Sequence, residues 1–160
     1  MISDRRRQLS SFLLGSALAL PLGRLGDVAA RLAAVRAFAA LPEAAALAAA
    51  NKRIGNILKK AEAEGPVDAH VNDALLQEDA EKALYAAMQA TAPAASAQFE
   101  AGDYTASLQT LAALRAPVDA FFDDVMVNAE QPDLRLNRLG LLKMLHQAMN
   151  RVADLARLAA

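Results

Sequence analysis

In the tract Ala48-Ala49-Ala50-Asn51-Lys52-Arg53-Ile54-Gly55-Asn56-Ile57-Leu58-Lys59-Lys60 an alanine-rich packing surface runs directly into a dense cluster of cations and amides. On a helix turning about 100° per residue, Leu47, Ile54, Ile57 and Leu58 share one side, while Lys52, Arg53, Asn56, Lys59 and Lys60 share the opposite side. Asn51 falls on the apolar side, where an amide is costly unless it is paired. A short cationic ridge with hydrogen-bonding amides suggests a polyanionic partner. Solvated helix faces are also commonly basic, so the ridge needs support from elsewhere in the chain.

At 160 residues the chain is long enough for one domain with a substantial core. Its 55% hydrophobic content comes largely from alanine and leucine, with no Trp and seven Gly, a profile that favours helix over sheet. The expected fold class is therefore all-α. Absence of cysteine excludes a disulfide framework and thiolate metal sites, and it fits a reducing cytosol. His70 and His146 lie far apart in sequence, so no zinc site is expected. Leu9 to Leu22 follows Arg5-Arg6-Arg7 and superficially resembles a signal peptide, but Ser10, Ser11, Gly15, Ser16 and Pro21 interrupt it. It shows neither a clear cleavage site nor an apolar run long enough to span a bilayer.

The net charge of -1 hides strong segregation. Residues 1–60 hold ten Lys/Arg against three Asp/Glu, residues 61–104 hold one against nine, and residues 105–160 balance at six against six. An anion-binding domain needs only a local basic surface, so an isoelectric point near 6.1 does not argue against one.

Residues 1–20 read as a divergent or boundary segment and 21–160 as one helical domain. A helix is predicted from about Leu22 to Ala40, with Leu25, Val28, Leu32, Val35 and Phe38 at spacings of three and four. Leu41-Pro42-Glu43 restarts the chain into a second helix ending near Ala63. Gly65-Pro66 breaks it, and residues 67–76 read as an acidic connection with a short turn starting at Asn72. Helix resumes at Glu78 and is expected to kink or end at Pro93. Asp103 is the expected N-cap of a helix continuing through Phe122, bent at Pro117. The last helix is expected from Pro132 to about Leu158, with Asn137 and Arg138 anomalously inside its apolar arc.

No Gly-rich phosphate loop, His-centred nucleophile or metal-ligand spacing is present. Asp123 and Asp124 are adjacent, hence on different sides of a helix, and do not make an acid/base pair. His146 reads as solvated, and Phe121 and Phe122 read as core and helix-junction residues. Base stacking on Tyr104 or Tyr85 has no basic neighbour in sequence to support it.

Two segments go beyond generic helix. Residues 43–54 with Asn56-Ile57-Leu58 form the first. The second is Phe121-Phe122-Asp123-Asp124-Val125-Met126-Val127-Asn128 with Leu134-Arg135, Asn137-Arg138-Leu139 and Arg151-Val152-Ala153-Asp154. In order and separation they resemble the C-terminal region of bacterial glycyl-tRNA synthetase β subunits, across roughly residues 22–158. Residues 1–20 depart from the pattern. So do Gly55, where Ala or Ser is more usual in that family, and Met149, where a bulkier aromatic is usual. The resemblance implies a helical bundle, the DALR-like anticodon-binding domain related to that of class I arginyl-tRNA synthetase. It further implies a cytoplasmic heterotetramer of α and β chains that uses ATP with magnesium to attach glycine to its tRNA. This chain would then bind glycine tRNA, join the rest of β and the α subunit, hold no cofactor and catalyse nothing alone, without membrane or DNA as partners.

Glycine codons begin with two guanines, so every glycine anticodon offers two adjacent cytosines, whose edges can be read once the loop bases are splayed out. On this reading Lys52, Arg53, Lys59 and Lys60 hold the RNA backbone with Asn56 beside them, and Arg135, Asn137 and Arg138 contact or position bases, with Asp133 as an acceptor. The two groups would form one cradle. The alternative for Asn51, Asn137 and Arg138 is an internal polar network joining helices. The alternative for the whole chain is a helical subunit-interaction module without direct RNA contact; a bundle enclosing a small ligand lacks convergent polar groups and ranks last.

Overall fold

Leucine and alanine at intervals of three and four build six α-helices and no strand among the residues described by this computed structural model, 26–158. The expectations for residues 1–20, and for the start of the first helix, lie outside those residues. Helix α1 (Gly26–Ala39) meets α2 (Ala44–Glu64) at a bend of 111°, across the Leu41-Pro42-Glu43 junction. Along α2, Ala44, Leu47, Ala48, Ala50, Asn51, Ile54 and Leu58 are buried. The amphipathic division expected from the sequence is therefore the one that forms, and it commits α2's apolar side to the core.

Asn72 accepts a hydrogen bond from the Ala74 amide and caps a 3₁₀ turn, Asp73–Leu75, where a short turn was expected. Helix α3 (Asp79–Glu100) starts with the Glu78 amide donating to the Glu81 carboxylate at 3.1 Å, and its acidic first turn complements the helix dipole. Pro93 does not end α3, which runs on to Glu100. A proline removes one backbone hydrogen bond, and the packing of Ala95 and Phe99 beyond it holds the remaining turns. Gly102, at φ 81, takes the left-handed conformation that L side chains resist, and reverses the chain. Helix α4 (Tyr104–Ala112) then packs back on α3, capped by the Asp103 carboxylate accepting from the Ala106 amide at 3.1 Å.

The single helix expected from Asp103 through Phe122 is in fact two. It breaks at Ala113-Leu114, and α5 (Arg115–Asp124) begins afresh. Pro117 thereby sits in a first turn, where its missing N–H leaves no intrahelical bond unmade. The last helix is also shorter than expected: α6 (Pro132–Met149) stops at Asn150, and only a 3₁₀ turn, Leu155–Leu158, follows. Asn150 explains the stop, because its side-chain oxygen accepts the Leu155 amide at 3.2 Å and draws the chain back onto α2.

The core joins α2, α3 and α6, with α5 against both α2 and α3. Leu47, Ile54, Leu84, Leu108, Leu114, Phe121, Leu141, Leu142 and Leu145 are all essentially inaccessible. Against the chain between α2 and α3, α6 approaches so closely that a Cβ on Gly140 would lie 2.2 Å from the His70 carbonyl oxygen and 2.9 Å from that of Asp68. Lys143 Nζ donates to the Val67 carbonyl at 2.7 Å beside this contact, and also pairs with Glu62 at 3.3 Å. The orientation of α2's outer face follows from these attachments.

Candidate nucleic-acid interface

Once α2 has buried its apolar side, Lys52, Arg53, Asn56, Lys59 and Lys60 are left together and exposed on the other. At 1.5 Å per residue the stripe from Lys52 to Lys60 is about 12 Å long. None of the five makes a hydrogen bond or ion pair within the described residues. Elsewhere the cations are mostly committed: Arg31, Arg115, Arg138, Lys143, Arg151 and Arg157 each pair with a carboxylate. Arg135 donates only to a backbone carbonyl, and Arg36 and Lys82 are the other two Lys or Arg side chains with neither a hydrogen bond nor an ion pair among those residues.

One member of the ridge has an aromatic neighbour. The Arg53 guanidinium carbon lies 4.3 Å from the centroid of Phe122, on α5. Phe122 in turn meets the buried Phe121 edge-to-face, at 5.5 Å and 82°. Sequence reading assigned Phe122 to packing and missed this pairing, because residues 53 and 122 are brought together only by the contact of α2 with α5. Tyr85 and Tyr104, considered from the sequence as stacking groups, serve elsewhere. Tyr85 lines an apolar cavity of about 110 Å³ with Met88, Leu111, Leu114, Met144 and Ala148. Tyr104 packs on Phe99 and donates to the Asp27 carboxylate, joining α4 to α1. Asp27 also accepts from Arg31 Nε at 2.8 Å. The Tyr104 hydroxyl and then Arg31 hold the Asp27 carboxyl below its ordinary range, while the same carboxylate raises Tyr104 and Arg31.

The second expected group does not form a surface set. Arg138 is 5% exposed; Nη2 donates to the buried Glu81 carboxylate at 2.8 Å, and Nη1 donates to the Met126 carbonyl at 2.6 Å. Asn137 is 6% exposed; its oxygen accepts the Asn72 amide at 2.7 Å and its Nδ2 donates to the Asn72 carbonyl at 3.2 Å. Both therefore bond inside the bundle, as their apolar-arc positions on α6 allow, and the structure does not bring them together with the exposed α2 residues into the one surface cradle that was expected. Arg135 is half-buried, with Nη1 donating to the Ala129 carbonyl at 3.2 Å. Asp133 accepts its neighbour's amide, Leu134 N, at 2.9 Å.

Asn51 is fully buried and forms reciprocal amide bonds with Asn150, and these are separate from the Asn137 and Arg138 contacts. The internal-network alternative thus holds as three local pairings and not as one network. His146, expected to be solvated, is half-buried, with Nε2 3.4 Å from the position a Cβ on Gly55 would occupy. Among the described residues no group of three His, Asp or Glu side chains could hold a metal ion, and no single helix is long and apolar enough to cross a membrane.

The chain is 77% identical over 137 residues to the glycine--tRNA ligase beta subunit of Polaromonas naphthalenivorans, covering 86% of this chain and 19% of that protein. It is 72% identical over 159 residues to the same-named subunit of Leptothrix cholodnii, covering 99% and 22%. With that of Paracidovorax citrulli the identity is 69% over 157 residues, covering 98% and 22%. The chain spans about a fifth of the length of these curated relatives. Residues 47–158, from the apolar side of α2 through the final 3₁₀ turn, match the DALR anticodon binding domain, and the chain belongs to that family.

Proposed function

We propose that this chain binds the anticodon loop of glycine tRNA through the ridge on α2, as the anticodon-binding part of a glycine--tRNA ligase β subunit. The aminoacylation chemistry, with its ATP and magnesium, belongs on this reading to other parts of a cytoplasmic α/β heterotetramer. This domain contributes tRNA capture and orientation, and no catalytic group.

The observation that carries the reading is the uncommitted state of Lys52, Arg53, Asn56, Lys59 and Lys60 on one face. Lysine and arginine hold phosphates, while an amide can donate to and accept from base edges. Binding of glycine tRNA to the chain should weaken as salt rises. Lys52→Glu with Lys59→Glu should lower the slope of log affinity against log salt by about 1.4, at roughly 0.7 per single-strand phosphate contact. Replacing the two anticodon cytosines one at a time then asks whether bases are read. An affinity indifferent to salt would remove the reading.

The subunit-interaction reading has one observation in its favour. Val28 and Leu32, four residues apart on α1, are 56% and 53% exposed. It predicts association that persists at high salt and is insensitive to the α2 charge reversals.

A further inference from the structure

Three arginines among the described residues lie over aromatic rings, and Arg53 differs from the other two. Arg31 lies over Tyr104 at 4.8 Å, but its Nε donates to Asp27 and its Nη1 to the Val152 carbonyl at 2.6 Å. Arg151 lies over Phe99 at 4.0 Å, but its Nη atoms donate to Ser96 and Glu100. In both cases hydrogen bonds to protein acceptors already direct the guanidinium, so the stacking is part of an internal clasp. Arg53 has the aromatic contact alone, and its N–H donors remain available on an exposed surface.

We infer that Arg53, held over Phe122, is a stacking shelf for one unpaired nucleobase of the bound RNA, with Asn56 placed to meet that base's edge. This rests on the tRNA-binding reading proposed above. Unstacked RNA bases are commonly taken up on aromatic rings or on planar guanidinium groups. Phe122 lies under the Arg53 guanidinium carbon at 4.3 Å, and Arg53 is otherwise exposed. Phe121, fully buried, anchors Phe122 in turn, so the shelf is backed by the core. Asn56 lies three residues further along the same helix face, close enough to act with Arg53 on one ligand, and it has no internal partner among the described residues. Lys52, Lys59 and Lys60 flank the pair and supply charge for the adjoining phosphates. Arg53 is thereby moved from a backbone contact to a base contact.

Arg53→Lys separates the two roles, since lysine keeps the charge and its attraction to Phe122 but lacks a planar face. The 160-residue chain and the variant should be titrated with a glycine tRNA anticodon stem-loop and with versions each lacking one loop base. The expected result is an affinity loss of about tenfold for Arg53→Lys, within the range of single-base stacking, at an unchanged salt slope. One abasic position should weaken the parent chain similarly and erase the difference between parent and variant. A variant within about twofold of the parent on every RNA, or one weakened equally on all of them, overturns the shelf. If the Lys52→Glu with Lys59→Glu chain still loses affinity and salt slope in that case, tRNA binding by the ridge stands without it. If the parent chain shows no salt-dependent binding, both fall. A thermal melt of Arg53→Lys matching the parent excludes an indirect effect through folding.

Discussion

Asn51 and Asn150 exchange two amide hydrogen bonds, Nδ2 of Asn51 to Oδ1 of Asn150 at 2.7 Å and the reverse at 2.8 Å. The pair sits where α2 meets the end of α6, and Asn150 also donates to the His146 carbonyl and accepts from the Leu155 amide. Asn150→Ala leaves the fully buried Asn51 amide without its partner, which should cost about 2 kcal/mol by urea denaturation. The Leu155 amide should also exchange with deuterium faster in the variant, because its acceptor is gone.

Glu81 and Arg138 form a buried ion pair at 2.8 Å, in which Glu81 Oε2 and Arg138 Nε have no hydrogen-bond partner among the described residues. Removing one charge strands the other. Arg138→Met alone should therefore destabilise the chain by about 3 to 5 kcal/mol. Adding Glu81→Leu should recover most of that loss, since apolar side chains of similar size replace a buried pair at little cost. A double variant as unstable as the single would show that the Met126 carbonyl, held by Arg138 Nη1, and the Glu78 amide, held by Glu81, matter more than charge balance.

Two glycines on facing elements should respond oppositely to alanine. At Gly55 the added Cβ would meet only His146 Nε2, at 3.4 Å, and alanine's helix propensity should raise stability by up to about 1 kcal/mol. At Gly140 the Cβ would lie 2.2 Å from the His70 carbonyl oxygen, a backbone atom that cannot swing aside, and the loss should be about 3 kcal/mol. Paired thermal melts of Gly55→Ala and Gly140→Ala check both signs.

The Asp27, Tyr104 and Arg31 clasp makes the docking of α1 depend on pH at both ends. The folded state depresses the Asp27 carboxyl, so its contribution is present above about pH 4, the unfolded value, and is lost as pH falls through the folded one. The folded state raises the Tyr104 hydroxyl, so its contribution is present below about pH 10 and is lost as pH climbs through the folded value. Deuterium exchange of α1 amides, corrected for intrinsic rates, should be slowest between these limits. Tyr104→Phe should remove the alkaline limb and weaken the acid one.

The sequence by itself determined the helical class, the apolar side of α2, the short turn at Asn72, the Asp103 cap and the ridge from Lys52 to Lys60. These follow from period, propensity and capping chemistry, which act over a few residues. It also marked Asn51, Asn137 and Arg138 as polar groups on apolar arcs. Period alone could not tell a buried pairing from a contact surface, because both place a polar group on the same side of a helix. Tertiary structure decided that: Glu81 and Asn72 receive Arg138 and Asn137 from more than fifty residues away along the chain. It joined the end of α6 to α2 through Asn51 and Asn150, and it put Phe122 beneath Arg53. Each of these outcomes depends on which helices meet, and that is set by close packing of the whole bundle and not by any local pattern.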